Sequence, residues 1–156
     1  MGFNLELPTD IMRDFQKIYN DSDRIFGEMT KAGAEVVEKN IRSNVPQSIR
    51  NSKMMDCLKL TKVYKTPSDD GINTKVGFYG YFQNEDGNTV PAPLVANVFE
   101  YGRSNAPFPK HPFMRKSFKK KEITDAMLKA QKKASGGLLE WAKELAPFRR
   151  WKMRLT

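Results

Sequence analysis

One histidine, His111, and one cysteine, Cys57, put a low ceiling on the chemistry that this chain of 156 residues can assemble. A zinc site of the usual ligand count needs three or four His, Cys or carboxylate donors, and nucleophilic triads of the common kinds need a histidine beside Ser or Cys with a third orienting group. With one histidine and one cysteine, neither is expected to assemble within one chain. No glycine-rich phosphate loop is present, because Gly77 and Gly80 lie in an aromatic, β-rich run and Gly136-Gly137 lacks a following Lys-Ser or Lys-Thr. Asp69 and Asp70 sit between Pro67 and Gly71 and read as turn residues rather than cation ligands. Cys57 reads as a small core residue; with no second cysteine there is no internal disulfide framework, which suits synthesis in a reducing cytoplasm.

Glu100 is the carboxylate that asks for an explanation. It stands between Phe99 and Tyr101, so it is predicted to be partly buried and must then find a partner, with Arg103 and Arg115 the nearest cations on either side of a proline-rich stretch. The main reading is a local cap or ion pair that fixes that stretch. A contact to a neighbouring subunit is the functional alternative, and a catalytic acid is a third.

Basic residues supply the other possible chemistry. The net charge of +9 predicts attraction to anionic partners. It concentrates late, at Arg115, Lys116, Lys119, Lys120, Lys121, Lys129, Lys132 and Lys133, and again from Arg149 and Arg150 through Trp151 to Arg154. A basic helix face is ordinarily a solvated one, while cations interleaved with aromatic residues suit either phosphate contact with base stacking or an acidic protein partner.

The elements that must position these residues follow from periodicity. Thr9 or Asp10 caps a helix in which Ile11, Phe15, Ile18, Tyr19, Ile25, Met29, Gly33, Val36, Val37 and Ile41 recur at helical spacing. The preferred reading is one long, kinked helix over 10–44, the other being a break at Asn20-Asp21-Ser22 with Ser22 as the new cap. Pro46 ends it. Residues 47–56 show no clean period and read as a mobile connector. Residues 58–65 alternate as a strand with one buried face, residues 66–71 are dense in turn formers, and residues 73–82 return as a β-rich run, so the pair reads as a hairpin. Pro91 and Pro93 exclude a central strand position and launch a short helix from Leu94 to Tyr101.

Gly102 is then the predicted helix stop. From Ser104 to Pro112, Pro107, Pro109 and Pro112 predict a stiff, extended strap, and Pro112 is placed at the first position of a second long helix that runs from Phe113 to Gly136-Gly137. A last short helix, Leu138 to Leu145 with Trp141, ends at Pro147. The fold class is therefore α+β: a long N-terminal helix packed on a small antiparallel hairpin sheet, a short helix, a proline strap and C-terminal helices. Residues 1–147 form one domain and residues 148–156 a basic, aromatic tail. No apolar run is long enough to span a membrane and residues 1–10 lack a secretory pattern, so neither export nor membrane insertion is expected.

The run Phe99-Glu100-Tyr101-Gly102, a variable stretch, then Pro112-Phe113-Met114-Arg115 resembles the signature of the tail-completion, or head-to-tail joining, family of long-tailed bacteriophages. There the pattern reads Val-Glu-aromatic-Gly-Thr and then Pro-Phe-Leu-Arg-Pro-Ala; here Arg103 replaces the small hydroxyl residue and Lys116-Ser117 replaces Pro-Ala. The order of elements over residues 10–133 is similar to that family's as well. The resemblance implies a structural, non-enzymatic virion protein without cofactors, made in the host cytoplasm and placed at the neck. It implies self-association into a ring, a hexamer in the family, that meets the tail tube and the head connector. Within that frame Arg103, Phe108 and Trp151 are the candidate subunit or partner contacts. Lys119, Lys120, Lys121, Arg149 and Arg150 are the candidates for contact with DNA in the lumen or with an acidic partner. The alternative is a small basic nucleic-acid-binding protein, which the charge favours without a recognised binding motif.

Overall fold

A computed structural model describes residues 9–103 and 108–136 of the chain. The protein is mixed α+β, in the order α1 (Thr9–Asn20), α2 (Ser22–Asn44), α3 (Gln47–Arg50), a 3-10 turn (Lys53–Cys57), β1 (Leu58–Leu60), β2 (Tyr64–Lys65), β3 (Ile72–Asn73), β4 (Val76–Phe78), β5 (Tyr81–Gln83), β6 (Thr89–Pro91), α4 (Ala92–Tyr101), α5 (Phe113–Ser117) and α6 (Lys120–Ala134).

The N-terminal helical run is interrupted at one residue. Asp21 sits at φ −94°, ψ 2°, off helical values. The ladder nevertheless bridges it, with Asp21 N–H donating to Lys17 O and Ile25 N–H to Asp21 O, both at 2.9 Å. Ser22 does not cap α2, whose cap position is Asp21, and the Asp21 carboxylate instead accepts from Arg24 at 2.9 Å. α2 buries its apolar stripe, through Ile25, Gly33, Val37 and Ile41. In α1 Met12 and Tyr19 are more than half exposed, so these two side chains do not join the core that the helical pattern suggested for them.

The connector at 47–56 is ordered, contrary to expectation. Ile49 and Met54 are fully buried. Burying two such side chains contributes about 1.5–3 kcal/mol each, which outweighs the absence of a regular period in so short a segment. Around them the core gathers Val37, Ile41, Val45, Leu58, Phe78, Ala96 and Phe113.

The long hairpin exists but is kinked. β1 pairs antiparallel with β4 (Leu58 opposite Phe78, Leu60 opposite Val76), and β2 with β3 (Tyr64 opposite Asn73). Thr61 N–H donates to Lys75 O, so Lys62 and Val63 together face Thr74 alone. That is a one-residue β-bulge. It shifts the side-chain parity, turning Val63 toward Gly27 of α2 and Lys65 toward Asp23, 3.3 Å away. The strand over 58–65 therefore lacks the single buried face that alternation suggested. A second hairpin, β5 with β6, closes around Asn84 and Gly87, the latter at φ +79°, and takes Pro91 at its end. α4 accordingly starts at Ala92, two residues earlier than expected, with Pro93 in its first turn.

The second long helix is two helices. α5 ends at Ser117, Phe118 leaves helical values at ψ 71°, and α6 restarts at Lys120. Two asparagines of α2 hold that break. Asn44 donates to Ser117 Oγ at 3.1 Å, while Asn40 donates both to Ser117 O at 3.2 Å and to Glu122 at 3.0 Å, so the carbonyl at the end of α5 and an acidic side chain in the first turn of α6 share one amide. At the opposite end Arg24 donates to Ala134 O at 3.1 Å. α6 thus lies antiparallel on α2, stopped at Gly136 (φ +60°) as predicted.

Candidate functional site

The residues of the Phe-Glu-Tyr-Gly and Pro-Phe-Met-Arg runs meet where α4 ends and α5 begins. Glu100, in the last turn of α4, is 2% exposed. Its Oε2 accepts from Met114 N–H at 2.9 Å, and its Oε1 accepts from Arg115 N–H at 3.3 Å and from Arg115 Nε at 2.8 Å. A short helix begins with amide groups that have no partner in the helix itself. Glu100 supplies those partners from another helix, so the local cap and the ion pair are the same contact. Of the two arginines considered, Arg115 is the partner.

Burial pushes the Glu100 carboxyl upward and is the largest single influence, yet the Arg115 guanidinium and the Met114 and Arg115 amides together outweigh it and hold the group below its ordinary value of 4.5. The Arg115 guanidinium also lies 5.1 Å from the centre of the Tyr101 ring. Arg115 is therefore gripped on one side by the carboxylate and on the other by an aromatic face. Phe113 is buried against Phe78, ring centres 6.1 Å apart at 73°. Pro112 occupies the position before α5, φ −70° and ψ 87°, rather than its first residue as expected, and so presents the amides after it to Glu100.

Gly102 ends α4 with φ +82° and ψ −173°, backbone values open in practice only to glycine. Its N–H donates to Val98 O at 2.8 Å. A Cβ there would stand 3.1 Å from both Phe108 O and Lys110 Cγ. Arg103 and Phe108 pair antiparallel, and residues 104–107 of the expected strap lie outside the described residues. His111 N–H donates to Phe99 O at 2.8 Å, and the Phe108 ring stands edge-on to Phe99, 5.1 Å between centres. The strap lies back against the end of α4, with Arg103 exposed and Phe108 36% exposed beside the Phe99 ring.

Comparison with family models, with curated proteins and with solved structures finds no match to this chain. The site's chemistry therefore rests on its own geometry. Both oxygens of Glu100 are committed to α5, which makes the group a structural clasp.

The remaining candidate residues lie elsewhere. Lys119 pairs with Glu122 at 3.2 Å, and Lys120 and Lys121 are exposed in the first turn of α6. Asn40 and Lys119 together hold Glu122 below its ordinary value. Arg149, Arg150 and Trp151, and the expected helix over 138–145, lie outside the described residues. Sequence reasoning missed Asn40 and Asn44; their i, i+4 spacing on one face of α2 is the signal that carried them. Cys57 is buried, as expected, with its sulfur 3.5 Å from Tyr81 O. Among the described residues no group of three or more His, Cys, Asp or Glu side chains is placed to hold a metal ion, and no helix is long and apolar enough to cross a membrane.

Proposed function

We propose that this protein is a structural component of a bacteriophage particle or prophage, forming a ring at the head-proximal end of a tail and joining that tail to the head connector. The observation that carries the reading is the clasp. The residues that resemble the tail-completion signature converge into one mechanical unit in which Glu100 fixes the start of α5, and Gly102 directs the strap between them. Such a unit presents Arg103 and Phe108 at a defined place on the surface, which is what a docking segment in a ring requires. In this reading the ring is a hexamer, its neighbours are tail tube and connector proteins, and the tail residues 148–156 dock on protein, since Trp151, Met153 and Leu155 give an apolar face that phosphate contact does not need.

Purified protein should form rings visible by electron microscopy, with a matching mass in solution. A monomer that binds duplex DNA tightly at physiological salt, with an affinity falling steeply as salt rises, would replace this reading with that of a nucleic-acid-binding protein, to which the charge of +9 and the exposed Lys120 and Lys121 point.

A further inference from the structure

An apolar groove of about 510 Å³ runs between the hairpin and α6, floored by α2 at Ala34 and Val37 and walled by Val76, Tyr79, Ile123 and Met127. Its hairpin wall is a strand edge. Cys57/Tyr79 and Thr61/Lys75 are the hydrogen-bonded pairs of the ladder, so by alternation the peptide groups of Val76 and Phe78 turn away from β1 toward the other edge. On that edge β4 has no strand neighbour among the described residues. A free edge beside an apolar floor accepts an extended segment whose apolar side chains recur at every second position.

The chain contains such a segment at Phe3-Asn4-Leu5-Glu6-Leu7, whose apolar positions alternate with polar ones and whose single charge is opposite to that of Lys75 on the groove's rim. Its own groove is far along the chain. Pro8 alone separates it from α1, so Leu7 lies within about 7 Å of Thr9. The ladder runs through Asp21 into α2, and Thr9 stands about 36 Å along that helical path from Gly33 at the groove floor. Along α1 and into α2, Met12, Tyr19 and Phe26, seven residues apart, are more than half exposed.

We infer that residues 3–7 of one copy occupy the groove of a second copy, adding a strand to the edge of β4, with Phe3, Leu5 and Leu7 on the apolar floor and Glu6 beside Lys75. Each copy gives an arm and receives one, a head-to-tail contact that closes into a ring or propagates as a filament. The inference deepens the ring reading by naming its subunit interface.

Two variants test it, Glu6→Cys and Lys75→Cys, the second at an exposed position, with the native Cys57 buried. Mixed and oxidised mildly, they should form a disulfide-linked heterodimer that neither gives alone. A single chain carrying both changes should give covalent oligomers. An intrachain disulfide in the double variant, or no cross-link at all, would overturn the inference. A Phe3→Ser/Leu5→Ser protein should lose oligomers and lose protection from hydrogen exchange at the Val76 amide. Rings that persist in that variant would sink the arm exchange and leave the ring reading standing. Cross-linking in open chains that never close would support the arm exchange and sink the ring.

Discussion

Arg115 Nε lies 2.8 Å from Glu100 Oε1, yet the two side chains live in different solvents: the glutamate is 2% exposed and the arginine 65%. The pair is therefore asymmetric, with a buried charge that depends on its partners and a surface charge that does not.

Glu100→Gln should cost about 3 kcal/mol of unfolding free energy, because an amide side chain turns a donor toward groups that are themselves donors and leaves part of a buried network unsatisfied. Arg115→Ala should cost somewhat less, about 2 kcal/mol, since the Met114 and Arg115 amides still reach the carboxylate that is left buried without its cation. Urea melts of both variants check the order. Equal losses would mean that the backbone amides contribute nothing.

Acid should unfold the protein partly through this group. Because the folded state holds Glu100 below its ordinary 4.5, the unfolded chain takes up the proton more readily, so the stabilisation is fully present above that value and is lost as pH falls through the lower, folded one. Melting temperature in the native protein should drop more steeply from about pH 5 to pH 3 than in Glu100→Gln. Parallel curves would show that Glu100 does not titrate differently on folding.

Gly102→Ala should destabilise by about 2 kcal/mol, part from the left-handed φ and part from the 3.1 Å approach of Phe108 O and Lys110 Cγ. Gly87→Ala is the control, with a similar φ of +79° and no atom within 4 Å, and should cost about 1 kcal/mol. Thermal melts of the two variants separate the contact from the backbone conformation, and indistinguishable melts would place the strap further from Gly102.

Phe108→Ala with Arg103→Ala should lower the stability of the single subunit by only about 1 kcal/mol, the worth of one edge-on ring contact with Phe99. Oligomer formation, followed by sedimentation, should weaken far more. A large loss of subunit stability with normal assembly would make Phe108 a core residue.

Backbone events that depend on one residue's covalent geometry were legible in the order of amino acids. Gly102 and Gly136 adopt positive φ where helices stop, Pro46 follows the end of α2, and the turn formers at 66–71 join the hairpin strands, because glycine, proline and short polar side chains impose these conformations locally. The motif around Glu100 was legible to the same extent: a carboxylate between aromatic residues needs a partner, and Arg115 was one of two in range.

What depends on distant partners emerged with the packing. The helical pattern from Phe113 to Ala134 is continuous in sequence, and it breaks after Ser117 because Asn40 and Asn44, more than seventy residues earlier, take the hydrogen-bonding groups at that point. Residues 47–56 have no period, and they are ordered because Ile49 and Met54 find the core. Prolines stiffen the strap but do not aim it. Its return onto α4 is set by the Phe99 ring and by the space that Gly102 leaves open, contacts whose energy exists only once the chain has brought those groups together.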